Sequence, residues 1–160
     1  MLSTLMPGVG HLQNIHPLVI HFPIALLCGS AFLFVLAWVF RRDALAQPAF
    51  AMLVLGAISA AVAVGTGLFA EHGVMISRSV RENLLIRHKE MMLMATGLSW
   101  GLTIWATFTR PFPRKGRVFF LLMFLALVCV MSLGADYGGR MVYDYNAGGY
   151  ACPQPIDFVK

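Results

Sequence analysis

The chain has 160 residues, of which 59% are hydrophobic and only 12% are charged. This composition leaves room for one domain and excludes an ordinary soluble protein, in which charged residues are about twice as frequent. The net charge of +5 lies mostly in two short segments, residues 41–43 and 110–117. It therefore indicates membrane topology and not nucleic-acid binding.

Four apolar runs, each near the length that a helix needs to cross a bilayer, follow one another along the chain. A helix rises about 1.5 Å per residue, so about 20 apolar residues span the hydrocarbon core. The runs lack the alternation of outer-membrane strands. The sequence predicts an all-α, integral membrane four-helix bundle. The predicted helices are 17–40, 49–72, 80–109 and 117–136, followed by a Gly/Tyr-rich tail at 137–160.

The first predicted helix opens with two histidines and two prolines. Pro17 suits the first helical turn, where its missing N–H costs nothing. Pro23 has no N–H to donate to the carbonyl of Val19, which predicts a kink in the helix. The kink would change the direction in which the His21 side chain points. An ionisable side chain in a span is a functional candidate. The alternative for His16 or His21 is an interfacial residue that water or a neighbour satisfies.

The second predicted helix is rich in small residues and ends near His72. Small residues let helices approach closely in lipid, so this helix is expected to be the packing spine of the bundle. Gly65 and Gly67 near its end have two interpretations: close helix packing, or room for a flat cofactor.

Polar and turn-forming residues mark the ends of the last two helices. Ser79 and Glu82 resemble a capping box and predict that the third helix begins near Val80. The segment 110–116 contains two prolines and a glycine and predicts a sharp turn. Beyond the fourth helix, Tyr143 is typical of an interfacial aromatic belt, with a lid over the mouth of the bundle as the alternative.

Alternating helices bring four histidines to one end of the predicted bundle. Neutral imidazole binds iron, copper and zinc, and helical bundles commonly hold such sites between facing helices. Two axial histidines from different helices suffice for haem, whereas a non-haem metal site usually recruits carboxylates or thiolates as well. The histidines are His16, His21, His72 and His88, and the nearby carboxylates are Glu71, Glu90 and Asp136.

The charge distribution predicts that both termini lie outside the cell membrane. The two short basic segments carry six Lys and Arg residues, and the other end carries six more that are spread out and balanced by acids. Dense short basic loops favour the cytoplasmic side. Residues 1–15 lack Lys and Arg and do not resemble a removable signal peptide. No Cys-x-x-Cys-His motif occurs, which excludes c-type haem attachment by that motif, and no cysteine pair is an obvious disulfide.

A family resemblance rests on the string HPLVIHFPIAL at residues 16–26. It resembles the opening motif of a widespread family of small four-helix bacterial membrane proteins of unknown function. The resemblance extends to the Gly-rich end of the second helix, to His88 and to GGRMVYDYNAGG at 138–149. Members of that family look like neighbours or fused partners of periplasmic cytochromes and dehydrogenases, which implies redox work. The resemblance makes His16, His21, His88 and the Gly/Tyr tail motif positions, whereas His72 follows from topology alone.

These patterns predict a membrane-anchored b-type haem subunit that transfers electrons at the outer rim of the bundle. The protein is expected to be a subunit of an oxidoreductase complex rather than an enzyme by itself. One or two haems are expected, with His21 and His88 as the first axial ligands and His16 and His72 next. Arg87 and Arg140 are candidate partners of the propionates. The further candidate cofactor contacts are Gly65, Gly67 and Tyr143.

The expected partners are the lipid bilayer and periplasmic cytochrome or dehydrogenase subunits, within a larger complex of the bacterial inner membrane. Quinone is a further candidate, and no nucleic acid is expected. Two alternatives remain open from the sequence: a non-haem iron, copper or zinc site in the same histidine cluster, and a cofactor-free structural subunit.

Overall fold

The computed structural model describes residues 14–74, 76–109 and 111–147, and all regular structure in these ranges is helical. Four helices are long and apolar enough to cross a membrane. They are α1 (His16–Val39), α2 (Asp43–Ala70), α3 (Arg78–Thr109) and α4 (Arg117–Tyr143). The prediction of an all-α membrane protein with four spans is confirmed.

The helices pack in chain order around a closed bundle. α1 lies against α2, α2 against α3 and α3 against α4, and α1 and α4 also touch. Short connections make consecutive helices antiparallel neighbours. The bundle therefore has a histidine end, which contains His16, Gly67, His88 and Gly138, and a loop end, which contains residues 40–42 and 111–116. α1 and α3 lie diagonally across the bundle.

An aromatic cluster fixes the loop end. The rings of Phe34, Phe120 and Phe124 are at most 1% exposed, and that of Phe112 is 4% exposed. Phe34 lies 5.1 Å from both Phe112 and Phe120 between ring centroids, the latter pair being nearly perpendicular at 78°. Edge-to-face pairs of this kind add to the packing that holds helices together in lipid. Because Phe112 belongs to the connection between α3 and α4, the cluster anchors that loop to the bundle.

Two prolines shape the starts of α1 and α2. α1 is interrupted at Ile20, between His16–Val19 and His21–Val39, where Pro23 offers no N–H to the preceding turn. The regular part of α2 begins at Ala46, three residues before the predicted start. Pro48 lies in its first turn, where backbone N–H groups have no helical partner in any case.

The start of α3 differs from the prediction. Its N-cap is Ser77, whose Oγ accepts a hydrogen bond from the N–H of Val80 at 3.3 Å. The predicted capping box of Ser79 and Glu82 is wrong, because the Glu82 carboxylate pairs with an arginine one turn earlier at 2.8 Å. A π-helical turn follows at Arg81–Leu85. Such turns shift the rotational register of a helix and are frequent near functional sites.

α4 continues to Tyr143, seven residues beyond the predicted end. The reason is a second hydrophobic cluster, in which Met141 packs with Val80, Leu84 and Leu85, each at most 9% exposed. This packing outweighs the low helix propensity of the glycines in the last turns. Residues 148–160 of the predicted tail, with Cys152, lie outside the described residues.

Gly56 on α2 is a packing position that we expect to tolerate no side chain. A Cβ there would lie 2.7 Å from Leu27 Cδ2 and 3.3 Å from the Leu27 backbone nitrogen, and Leu27 is only 1% exposed. We expect Gly56→Ala to lower the free energy of unfolding by about 1–3 kcal/mol, measured as thermal unfolding in detergent.

The matched control is Gly101→Ala in α3, where an added Cβ meets nothing within 4 Å. That substitution should leave stability unchanged or raise it by up to about 1 kcal/mol, since alanine is the better helix former. Equal unfolding temperatures for the two variants would contradict the packing role of Gly56.

Candidate functional site

The histidine end brings together one histidine from α1 and one from α3. The ring centroids of His16 and His88 are 6.4 Å apart, and their planes are inclined at 82°. Both side chains are half-buried. Because α1 and α3 lie diagonally across the bundle, the pair lies between the two helical hairpins, α1–α2 and α3–α4.

Each imidazole of the pair is held through Nδ1. The His88 Nδ1 lies 2.7 Å from the carbonyl oxygen of Gly134, and a carbonyl can only accept. The Thr66 hydroxyl donates to the carbonyl of Ala63 at 2.9 Å, so its oxygen accepts from the His16 Nδ1 at 3.1 Å. In the neutral form of either ring these hydrogen bonds place the proton on Nδ1, and Nε2 carries the free lone pair.

A glycine leaves the space that each ring occupies. A Cβ at Gly67 on α2 would lie 3.0 Å from the His16 Cε1, and one at Gly138 on α4 would lie 3.0 Å from the His88 Cε1. Contacts this short force the ring to move. At Gly65 an added Cβ meets nothing within 4 Å. Of the two glycines predicted to make room for a cofactor, Gly67 is the one that contacts a histidine.

The two hairpins repeat the same arrangement. His16 and Gly67 are 51 residues apart, and His88 and Gly138 are 50 residues apart. In each hairpin the histidine stands near the start of the first helix, and the glycine near the end of the second. Each ring therefore lies against the second helix of its own hairpin, and the two imidazoles meet at the histidine end of the bundle.

Three members of the site were not predicted from the sequence: Thr66, Gly134 and Gly138. The signal that could have found Gly138 is the nearly equal spacing from histidine to glycine in the two halves. No comparable signal marks Gly134, because its contribution is a backbone carbonyl that any residue carries.

Comparison with protein families matches residues 12–150 to a family described as "Predicted membrane protein (DUF2231)". The matched segment contains all four helices and both members of the histidine pair. The chain belongs to this family. Membership confirms the resemblance that the opening motif indicated, and it supports a membrane protein without assigning an activity. No curated protein and no solved structure matches the chain.

The other two candidate histidines are exposed. His21 lies on α1 just after the interruption of the helix, and His72 follows the end of α2. The His72 Nδ1 donates to the carbonyl of Leu68 at 3.2 Å, and its side chain lines a shallow surface cavity of about 340 Å³ with Asn14 and Phe69. The structure thus joins His16 to His88, and it does not join His21 or His72 to them. The ligand assignments of the sequence stay predictions.

Two of the carboxylates that were candidates for a non-haem site are engaged by cations. Glu71 lies 3.0 Å from the Lys89 Nζ and 3.7 Å from the Arg81 guanidinium. Glu90 pairs with Arg87 at 3.7 Å. The Glu71 ion pairs tie the end of α2 to the start of α3, whereas the Glu90 pair lies within α3.

The remaining candidates lie at the surface. Asp136 is exposed, Arg140 pairs with Asp144 at 3.8 Å, and the Tyr143 side chain is 89% exposed. Across residues 14–74, 76–109 and 111–147, no group of three or more His, Cys, Asp or Glu side chains could hold a metal ion. A non-haem metal site therefore has no assembled ligand set within these ranges.

Proposed function

We propose that this membrane protein is a b-type haem subunit that transfers electrons, with His16 and His88 as the axial ligands. The single observation that carries the proposal is the pair of adjacent imidazoles, each held through Nδ1 and each set against a glycine. Iron bound by two histidines needs no third protein ligand. The proposal therefore needs only the donor set that the histidine end contains.

The donor set fits this group in three ways. Each neutral ring has its proton on Nδ1, which leaves Nε2 as the ligand atom, and hydrogen bonds at the other ring nitrogen commonly orient metal-bound histidines. The ring centroids of His16 and His88 are 6.4 Å apart, a separation at which both imidazoles could reach one metal through bonds of about 2.0 Å. Gly67 and Gly138 keep the space beside the rings free of side chains.

Haem would supply one-electron chemistry, and the chain's own residues would hold and tune it. Thr66 and Gly134 orient the ligands. The second hydrophobic cluster, around Met141, covers part of the histidine end. A single histidine pair supports one haem, with His21 and His72 outside the ligand set.

The proposal includes the location of the site at the outer face of a bacterial inner membrane, with both termini outside. Its support is the charge at the loop end, where five described cations accompany one acid, Asp43, as short cytoplasmic loops usually do. Electron partners would then be periplasmic cytochrome or dehydrogenase subunits, or quinone, reached from the same face.

A reduced-minus-oxidised absorption spectrum of the purified protein tests the proposal. We expect sharp Soret and α bands and one haem per chain, measured as the pyridine haemochrome. A protein that is expressed in haem-replete cells and shows neither band would overturn the proposal. Metal analysis of that protein would then separate a non-haem metal site from a cofactor-free structural subunit.

Thr66 offers a test of how the ligands are oriented. Thr66→Val removes the oxygen that accepts from the His16 Nδ1. We expect haem affinity to fall about 10- to 100-fold, as it does when other partners of metal-bound histidines are removed, measured by transfer of haem to a competing apoprotein. The control is Thr107→Val, whose hydroxyl donates only to the carbonyl of Thr103 in α3. Equal affinities in the two variants would remove Thr66 from the site.

A further inference from the structure

The two ends of the bundle differ in whether their Lys and Arg side chains form ion pairs with carboxylates. At the histidine end, each of the five described Lys and Arg residues pairs with a carboxylate. At the loop end, the five described cations form no ion pair with any carboxylate in the part of the chain that the structure describes. These five cations are Arg41, Arg42, Arg114, Lys115 and Arg117.

A cavity of about 610 Å³ lies at the loop end, between the start of α2 and the connection from α3 to α4. Arg114, Lys115 and Arg117 line it from the α3–α4 side, and Asp43 and Gln47 line it from the α2 side. Thr109 adds a hydroxyl. Three cations against one acid leave the cavity positive, and neutral polar groups lie among them.

The segment that carries these cations is anchored to the bundle by Phe112 and Arg117. The Arg117 guanidinium lies 4.4 Å from the centroid of the Phe112 ring, and its Nε donates to the carbonyl of Pro113 at 3.3 Å. Phe112 belongs to the aromatic cluster around Phe34. Gly116 has a φ of +80°, which favours glycine and makes the turn into α4. A site built on fixed backbone loses little conformational entropy when an anion binds.

We propose that this cavity binds the phosphate of an anionic phospholipid, with a hydroxylated headgroup such as phosphoglycerol. Arg and Lys recognise phosphate by charge-assisted hydrogen bonds. The cavity lies where the spans end, at the depth of lipid headgroups, and basic pockets between transmembrane helices commonly bind them. Asp43 would repel a free anion, whereas its carboxylate accepts hydrogen bonds from headgroup hydroxyls. This arrangement favours the lipid over inorganic phosphate.

The test is native mass spectrometry of the full chain, with phosphatidylglycerol, phosphatidylcholine and inorganic phosphate as separate probes. We expect phosphatidylglycerol to be retained in preference to phosphatidylcholine. The double variant Arg114→Gln/Lys115→Gln should bind it roughly 30-fold more weakly, since each cation near the membrane surface contributes a factor of about 5 to 6. Both side chains are exposed, so folding is expected to be unchanged.

The matched control removes the same charge from the histidine end. Arg78→Gln/Arg87→Gln replaces two exposed cations that pair within their own helix, and phosphatidylglycerol retention should stay at the wild-type level. Equal loss in the two double variants, or no preference for phosphatidylglycerol, would overturn the proposal. Binding of inorganic phosphate as strong as that of the lipid, and lost in the loop-end variant, would overturn the lipid assignment and leave a soluble phosphate as the ligand.

Discussion

His16→Ala and His88→Ala are each expected to remove the α band from the reduced-minus-oxidised spectrum. The proposed ligand pair has one histidine from each hairpin, and a haem that loses one of two axial imidazoles loses both affinity and low-spin character. We expect the haem content of each purified variant to fall at least about tenfold. The measurements are the pyridine haemochrome assay and the optical spectrum, at equal protein concentration.

The controls are His21→Ala and His72→Ala, which remove exposed histidines from the same end of the bundle. Both variants should keep the wild-type bands. Far-UV circular dichroism and membrane extraction should be alike for all four variants, because none of the four side chains belongs to the hydrophobic core. Loss of the bands in His21→Ala, with His16→Ala unchanged, would restore the pairing that the sequence favoured and refute the one proposed from the structure.

The spans could be predicted from sequence because length and hydropathy alone define them. In lipid every backbone polar group must be satisfied within the segment, so an apolar run of this length has one viable form. The helix ends were less predictable. α4 reaches Tyr143 because Met141 packs against residues from the start of α3. These residues are 56 to 61 positions away in the chain, so local helix propensity does not predict the contact.

The histidine end was predictable, but the pairing within it was not. His16 and His21 stand five residues apart on one helix, which rotates about 100° per residue, so their side chains point about 140° apart. Only one of them can face α3. Which one does so depends on how α1 is rotated against its neighbours, and the interruption at Ile20 changes that rotation further. The sequence shows both histidines, but it does not show how α1 is rotated against its neighbours.

The same reasoning applies to the glycines of α2. Gly65 and Gly67 are two residues apart and therefore lie about 200° apart around the helix axis. One faces outward, and the other faces His16. Small residues favour close packing at either position, so composition alone cannot distinguish the glycine that the ring requires from the glycine that merely lies in a small-residue helix.

Valine substitutions at these glycines are expected to separate the two interpretations. Gly67→Val and Gly138→Val place a branched side chain where the Cβ alone would lie 3.0 Å from an imidazole carbon. The ring must move, and a displaced ligand weakens the bond to iron. We expect the haem content of both variants to fall at least about tenfold, as it does when a residue that orients a metal-bound histidine is removed. The measurements are the haem content and the amplitude of the α band.

Gly65→Val and Gly139→Val are the matched controls. Each of these glycines lies on the same helical turn as the glycine that it controls for, Gly67 in α2 and Gly138 in α4. An added Cβ meets nothing within 4 Å at Gly65, and at Gly139 it meets only the Tyr143 ring at 3.9 Å, an ordinary contact. These variants carry the same change in volume and helix propensity, so they should keep their haem. If all four variants lost haem alike, the glycines would serve general helix packing. If Gly67→Val and Gly138→Val kept it, the two imidazoles would not be held where the proposed ligand pair requires them.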